Sequence, residues 1–169
     1  MQSNENESNN EERLRLVMTN IEARLRKLMR EDPGTLDQIE ASVDEVGDFI
    51  KEEITKEIVS NLGAGYQGSR IDCAVCRSRA KYCGTRSREV ITLHGRLKFN
   101  RAYYYCKVCR SSLCPTDKQL GLGRDDCSRT VKAYSARVAS YLPFAVAAKE
   151  LKALRRIDIS ATKVQENAK

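Results

Sequence analysis

Two Cys-x-x-Cys pairs, Cys73/Cys76 and Cys106/Cys109, are the residues best spaced for chemistry in this chain. Two intervening residues let both thiolates of a tight turn address one ion. Two such turns complete the tetrahedral four-sulfur shell that zinc accepts. The expected site is one structural Zn2+ held by Cys73, Cys76, Cys106 and Cys109. Four thiolates close the shell, and the chain has one histidine, so catalysis at the metal is not expected. Thioredoxin-like redox chemistry is disfavoured as well, because there are two pairs and no βαβ pattern. Cys114 follows Cys109 closely and is an alternative ligand. Cys83 and Cys127 are expected to act as small buried hydrophobes. His94 is expected in a turn.

The elements that must bring the two pairs together lie in the 29 residues between them. "REVITLHGRLKFNRAYYY" alternates and is rich in β-branched and aromatic residues, which predicts a β-hairpin. With a turn at His94-Gly95, Leu93 pairs with Arg96, Thr92 with Leu97 and Val90 with Phe99. Val90, Thr92, Leu97, Phe99, Tyr103 and Tyr105 then share one face, and Tyr104 lies on the other with Lys98 and Ala102. Tyr103 and Tyr105 are expected to pack, leaving Tyr104 as a candidate contact to a base or sugar. Residues 71–127 therefore read as a zinc ribbon: cysteine turn, hairpin, cysteine turn.

The flanking segments differ in texture. Residues 1–12 are polar and are expected to be a disordered tail. Residues 13–62 carry two apolar stripes at spacings of three and four, Leu14 to Met29 and Leu36 to Leu62, separated by "EDPG" at 31–34. They predict a helical hairpin packed within one chain, or a dimerising coiled coil. Residues 63–70 form a glycine-bearing linker. Residues 128–169 predict three short helices, at 128–142, 144–154 and 160–169, with Ser128 and Ser160 as N-caps. Their order resembles a helix-turn-helix, although an ordinary three-helix unit fits equally. In the former case Ser160, Thr162 and Lys163 would face base edges, Gln165 could pair with adenine, and Arg155 and Arg156 would meet phosphates. The expected fold class is α+β.

Charge divides along the chain. Residues 1–70 hold 9 Lys+Arg against 15 Asp+Glu, residues 71–127 hold 12 against 5, and residues 128–169 hold 9 against 3. Four thiolates with one divalent ion carry a formal charge of about −2, so a bound metal removes only part of this surplus. The basic half predicts a polyanion partner, nucleic acid first. No signal peptide or membrane-length apolar run is visible, so a cytoplasmic protein with reduced thiols is expected.

The motifs of the ribbon segment resemble the N-terminal region of the ISKra-type insertion-sequence transposases. The matching features are Cys73/Cys76, Arg86/Arg88, Thr92-Leu93-His94-Gly95, Arg101 to Cys109, Pro115/Asp117 and Leu120-Gly121-Leu122. "TLDQIEASV" and "FAVAAKELKALRRIDISATKV" are similar to the helices on either side. The resemblance implies binding to double-stranded DNA at transposon ends. The expected contacts are Arg86, Arg88, Arg96, Lys98, Arg101, Tyr104, Arg155, Arg156, Thr162, Lys163 and Gln165. Such transposases continue into a DDE nuclease domain whose carboxylates hold divalent metal. Beyond Cys127 this chain offers only Glu150, Asp158 and Glu166 in helical segments, so it is not expected to be an enzyme by itself. Two other roles fit the same residues. One is an accessory or repressor subunit that dimerises with itself or with a full-length transposase; the other is a remnant without function.

Overall fold

A computed structural model describes residues 2–30 and 34–169, with side chains from Glu11 onward. The chain divides into two compact units, Met1–Asn61 and Leu62–Lys169.

The first unit is an antiparallel pair of helices, α1 (Gln2–Arg30) and α2 (Leu36–Asn61). The direction follows from cross-contacts at both ends. Arg13 meets Glu57 at 3.2 Å, and the Arg24 guanidinium lies 3.8 Å from the Phe49 ring centre. The expected disordered tail is instead helical from Gln2, because neither proline nor glycine interrupts residues 2–30. Most of the expected stop at 31–34 lies outside the described residues. Its last residue, Gly34, has φ 65, a conformation natural to glycine. A reciprocal pair of hydrogen bonds then opens α2. The Thr35 N–H donates to Gln38 Oε1 at 2.8 Å, and the Gln38 N–H donates to Thr35 Oγ1 at 3.4 Å.

The second unit is built on a four-stranded antiparallel sheet in the order β1-β2-β3-β4. The strands are β1 (Arg70–Asp72), β2 (Arg79–Thr92), β3 (Gly95–Tyr105) and β4 (Ser112–Leu113). Helices α3 (Pro115–Gln119), α4 (Arg129–Ala139), α5 (Phe144–Arg155) and α6 (Ala161–Asn167) follow. With six helices and this sheet, the described residues form an α+β protein. No helix among them is long and apolar enough to cross a membrane.

The central hairpin forms, with a different register from the one expected. Val90 pairs with Leu97, Ile91 with Arg96 and Thr92 with Gly95, so the turn lies one residue earlier, at Leu93-His94. Gly95 takes φ 104 directly after that turn, and Thr92 Oγ1 accepts the His94 N–H at 3.1 Å. A turn followed by one glycine at positive φ joins strands as well as a two-residue turn does. The register moves by two residues, so Val90, Leu97 and Phe99 still share a face, and all three are buried.

Neither face of the sheet is covered by one element along its whole length. The Leu97/Phe99 face also carries Arg86, Arg88, Arg101 and Tyr103. Arg88 and Arg101 both bond Asp117 of α3 there. The opposite face is covered by the linker at the cysteine end and by helices at the hairpin tip. The Ala102 N–H donates to Ala64 O at 2.6 Å. At the tip Ile91 joins a core with Cys127, Val131, Ala147, Leu151, Ile157, Ile159 and Val164. Main-chain bonds tie α4 to β2: the Ile91 N–H donates to Asp126 O at 2.7 Å, and the Ser128 N–H to Ile91 O at 2.9 Å. Both expected N-caps are in place, with Ser128 Oγ accepting from Val131 N and Ser160 Oγ from Lys163 N.

Candidate metal centre

The two Cys-x-x-Cys turns precede and follow the long hairpin at its open end. In each, the first cysteine N–H bonds a serine carbonyl five residues on: Cys73 to Ser78 O at 2.7 Å, and Cys106 to Ser111 O at 2.9 Å. The arginine after each second cysteine takes a left-handed backbone, with φ 61 at Arg77 and 58 at Arg110. Local strain of about 1–3 kcal/mol at each non-glycine residue is tolerated because the turn is tied down by those bonds. Both turns are copies of one motif, C-x-V-C-R-S, in "CAVCRS" and "CKVCRS". That repeat is legible in the sequence and is a stronger signal than the cysteine spacing alone.

The hairpin brings the four sulfurs of Cys73, Cys76, Cys106 and Cys109 within 4.8 Å of one another. Across the two turns, Cys73 Sγ lies 3.5 Å from Cys109 Sγ and Cys76 Sγ lies 3.5 Å from Cys106 Sγ. All seven cysteines are free thiols. Cys73 and Cys106 are buried, while Cys76 and Cys109 are half-buried. This group could hold a metal ion: four soft donors converge from two rigid turns, at spacings suited to tetrahedral coordination. A hydrogen bond from the Ser78 hydroxyl draws the Cys76 thiol down to about 6. The Ser111 hydroxyl, with its oxygen 3.2 Å from the sulfur, likewise holds Cys109 below its ordinary value. Cys106 keeps a backbone hydrogen bond at Cys109 that favours its thiolate. Burial and the adjoining Cys76 sulfur outweigh it and push Cys106 up to about 11. Ser78 and Ser111 are therefore part of the site, although their role was not apparent from residue type alone.

Cys114 lies outside this group, at the N-terminus of α3, where burial raises its pKa. Cys127 is buried as expected, but Cys83 is exposed because it lies in a bulge of β2. His94 occupies the hairpin turn.

Tyr104 overturns its expected role. It is 0% exposed, with its hydroxyl donating to Gly68 O at 3.0 Å and accepting the Gln67 N–H at 2.8 Å. The linker at 63–70, taken for a mere connection, folds over this face and covers it. Tyr66 stacks edge-on against Tyr82 there, at 4.9 Å between centroids, and Tyr82 lies 5.4 Å from Tyr104. Tyr103 is half-buried beneath Arg86, whose guanidinium carbon is 3.6 Å from the ring centre.

The expected DNA contacts divide in the same way. Arg88 and Arg101 turn inward: their side chains are 10% and 22% exposed, and both bond Asp117. Arg88 also donates to Gly123 O at 2.7 Å and to Asp125 O. Lys163 is held by Asp126 at 2.9 Å and Glu166 at 2.7 Å, chiefly the Glu166 bond raising its pKa. These three cations, like Tyr104, are internal fastenings. Arg96 is exposed and pairs with Glu89 at 2.9 Å. Arg86, Lys98, Arg155, Arg156, Thr162 and Gln165 are exposed. Arg155 donates to the Tyr134 hydroxyl at 3.0 Å.

In residues 62–169 eight acidic residues stand against 22 lysines and arginines, and seven of the eight are held in ion pairs. The acidic residues are too few to neutralise the positive charge of this unit. No protein-family model, curated protein or solved structure matches the chain.

Proposed function

We propose that Leu62–Lys169 is a zinc-stapled DNA-binding module, a zinc ribbon joined to a helix-turn-helix-like set of three helices. The carrying observation is the four-sulfur cluster at the base of a hairpin, within a unit whose 22 basic residues face only eight acidic ones. Zinc suits the site because Zn–S bonds of about 2.3 Å place tetrahedral sulfurs about 3.8 Å apart. Two sulfur pairs lie at 3.5 Å and all four sulfurs within 4.8 Å. Bound zinc would join the two turns and hold the open end of the hairpin; it would supply no reaction.

DNA would be met by the exposed part of the predicted set: Arg86, Arg96, Lys98, Arg155 and Arg156 at phosphates, and Thr162 and Gln165 at base edges. α4, α5 and α6 have the order of a helix-turn-helix, with α6 as the reading helix and Arg156 at the left-handed end of α5 (φ 52). The resemblance to the N-terminal part of ISKra-type transposases favours transposon-end repeats as the target.

Metal analysis and gel shift test this together. Freshly purified protein is expected to carry about one zinc per chain and to bind terminal-repeat duplex in a salt-sensitive manner. Thr162→Ala with Gln165→Ala should reduce discrimination against random duplex by about tenfold or more. Lys98→Ala should weaken binding to all duplexes alike and reduce the salt slope by about one. Equal affinity for repeat and random duplex would remove the sequence-specific reading, and substoichiometric zinc would remove the ribbon.

A further inference from the structure

The structure points to the helical hairpin of Met1–Asn61 as a self-association surface that pairs with a second copy of this chain into a four-helix bundle. This rests on the first unit alone and is independent of the DNA-binding reading.

Among the described residues of this unit, only Val17 and Val59 are buried. Ile21, Leu28, Val46, Phe49 and Ile50 are only half-buried. Ordering a residue costs about 1–2 kcal/mol of backbone entropy, so this thin seam offsets little of the cost of two helices of this length. Meanwhile ten large apolar side chains of the unit are 37–84% exposed. On α1, Leu14, Met18 and Leu25 lie three residues before Val17, Ile21 and Leu28, so the apolar face is broad and one side of it stays exposed. On α2, the stripe through Val43, Ile54 and Ile58 keeps spacings of three and four from Leu36 onward and stays largely uncovered. A stripe with that period is a coiled-coil or bundle seam. A stable dimer takes about 800 Å² from each partner, and these ten exposed apolar side chains are the surface available to supply it.

Charge selects the occupant. Residues 11–30 carry six Lys+Arg against three Asp+Glu, while Leu36–Asn61 carries two against eight. Residues 11–30 of α1 thus carry the positive charge that α2 lacks, while Glu5 and Glu7 lie near its start. A two-fold dimer sets α1 of one chain against α2 of its partner twice over, which makes one surface complementary to itself.

Sedimentation equilibrium on the full zinc-loaded chain at about 20 µM is expected to give two chains per particle. Ile54→Glu with Ile58→Glu should raise the dimer dissociation constant by more than about tenfold. Leu14→Gln with Met18→Gln should do the same from the other helix. These side chains are exposed in the single hairpin, and glutamate and glutamine are good helix formers. A fall in helical signal that accompanies dissociation therefore also supports burial against a partner. A wild-type monomer at this concentration, or a dimer that survives both double variants, would overturn the inference. Zinc content and gel shifts on the same samples report the fate of the DNA-binding reading separately.

Discussion

Asp117 accepts hydrogen bonds from Arg88 and Arg101 on a face of the sheet where all three side chains are largely covered. As a residue following Pro115 it reads as part of a turn, and the arginines read as free cations. Burial changes both roles, because a charge removed from water must be paired. Asp117→Asn is expected to destabilise the protein by about 3 kcal/mol or more, since it leaves two arginines without their counter-charge. Arg86→Ala, which removes only an exposed stack on Tyr103, should cost less than about 1 kcal/mol. Urea denaturation followed by far-ultraviolet circular dichroism distinguishes the two. The tyrosine triplet teaches the same lesson. Alternation correctly separates Tyr104 from Tyr103 and Tyr105, but it cannot say which face is covered, and the linker covers the one carrying Tyr104.

At the scale of elements, two glycines shape the second unit. Gly84 has φ 106 within the bulge of β2, where the pairing shifts between Tyr82 and Thr85. The extra residue puts Tyr82 and Thr85 on one face despite their odd spacing, and their hydroxyls meet at 2.9 Å. Gly65 has φ 69, and a Cβ there would strike the hydroxyl of Thr116, which is 1% exposed and bonds Ala64 O at 2.9 Å. Gly84→Ala is expected to cost about 1 kcal/mol, from backbone strain alone. Gly65→Ala adds a clash with a buried side chain and should cost about 2–4 kcal/mol. Equal midpoints for the two variants in thermal unfolding would contradict this account of the linker. The hairpin, the three C-terminal helices and both serine caps were legible because each depends on local pattern. The hairpin register was not, because Gly95 serves a turn at either position and only the paired strands choose.

For the molecule as a whole, metal binding and acid stability are linked. The fold lowers the Cys76 pKa to about 6, so its thiolate persists at neutral pH and is lost as pH falls through that value. Protons compete with the metal for all four sulfurs, so metal is expected to be retained at pH 7.5 and released as the pH falls into the acid range. A metallochromic indicator measures this directly, and full metal occupancy well below pH 5 would contradict it. Chelation at neutral pH should loosen Leu62–Lys169 and leave the helical signal of Met1–Asn61 in place, because the first unit contains no cysteine.

The sequence by itself determined the four cysteines that could hold a metal ion, the hairpin between them, the helical segments and the unequal charge of the two halves. Each rests on residue types and spacings a few positions apart, and short-range geometry leaves little choice there. Only the tertiary structure decided which arginines are spent on Asp117, which tyrosine is core, and which helix stripes remain uncovered. Those outcomes depend on which segment covers which face, and that is set by contacts between residues far apart in the chain.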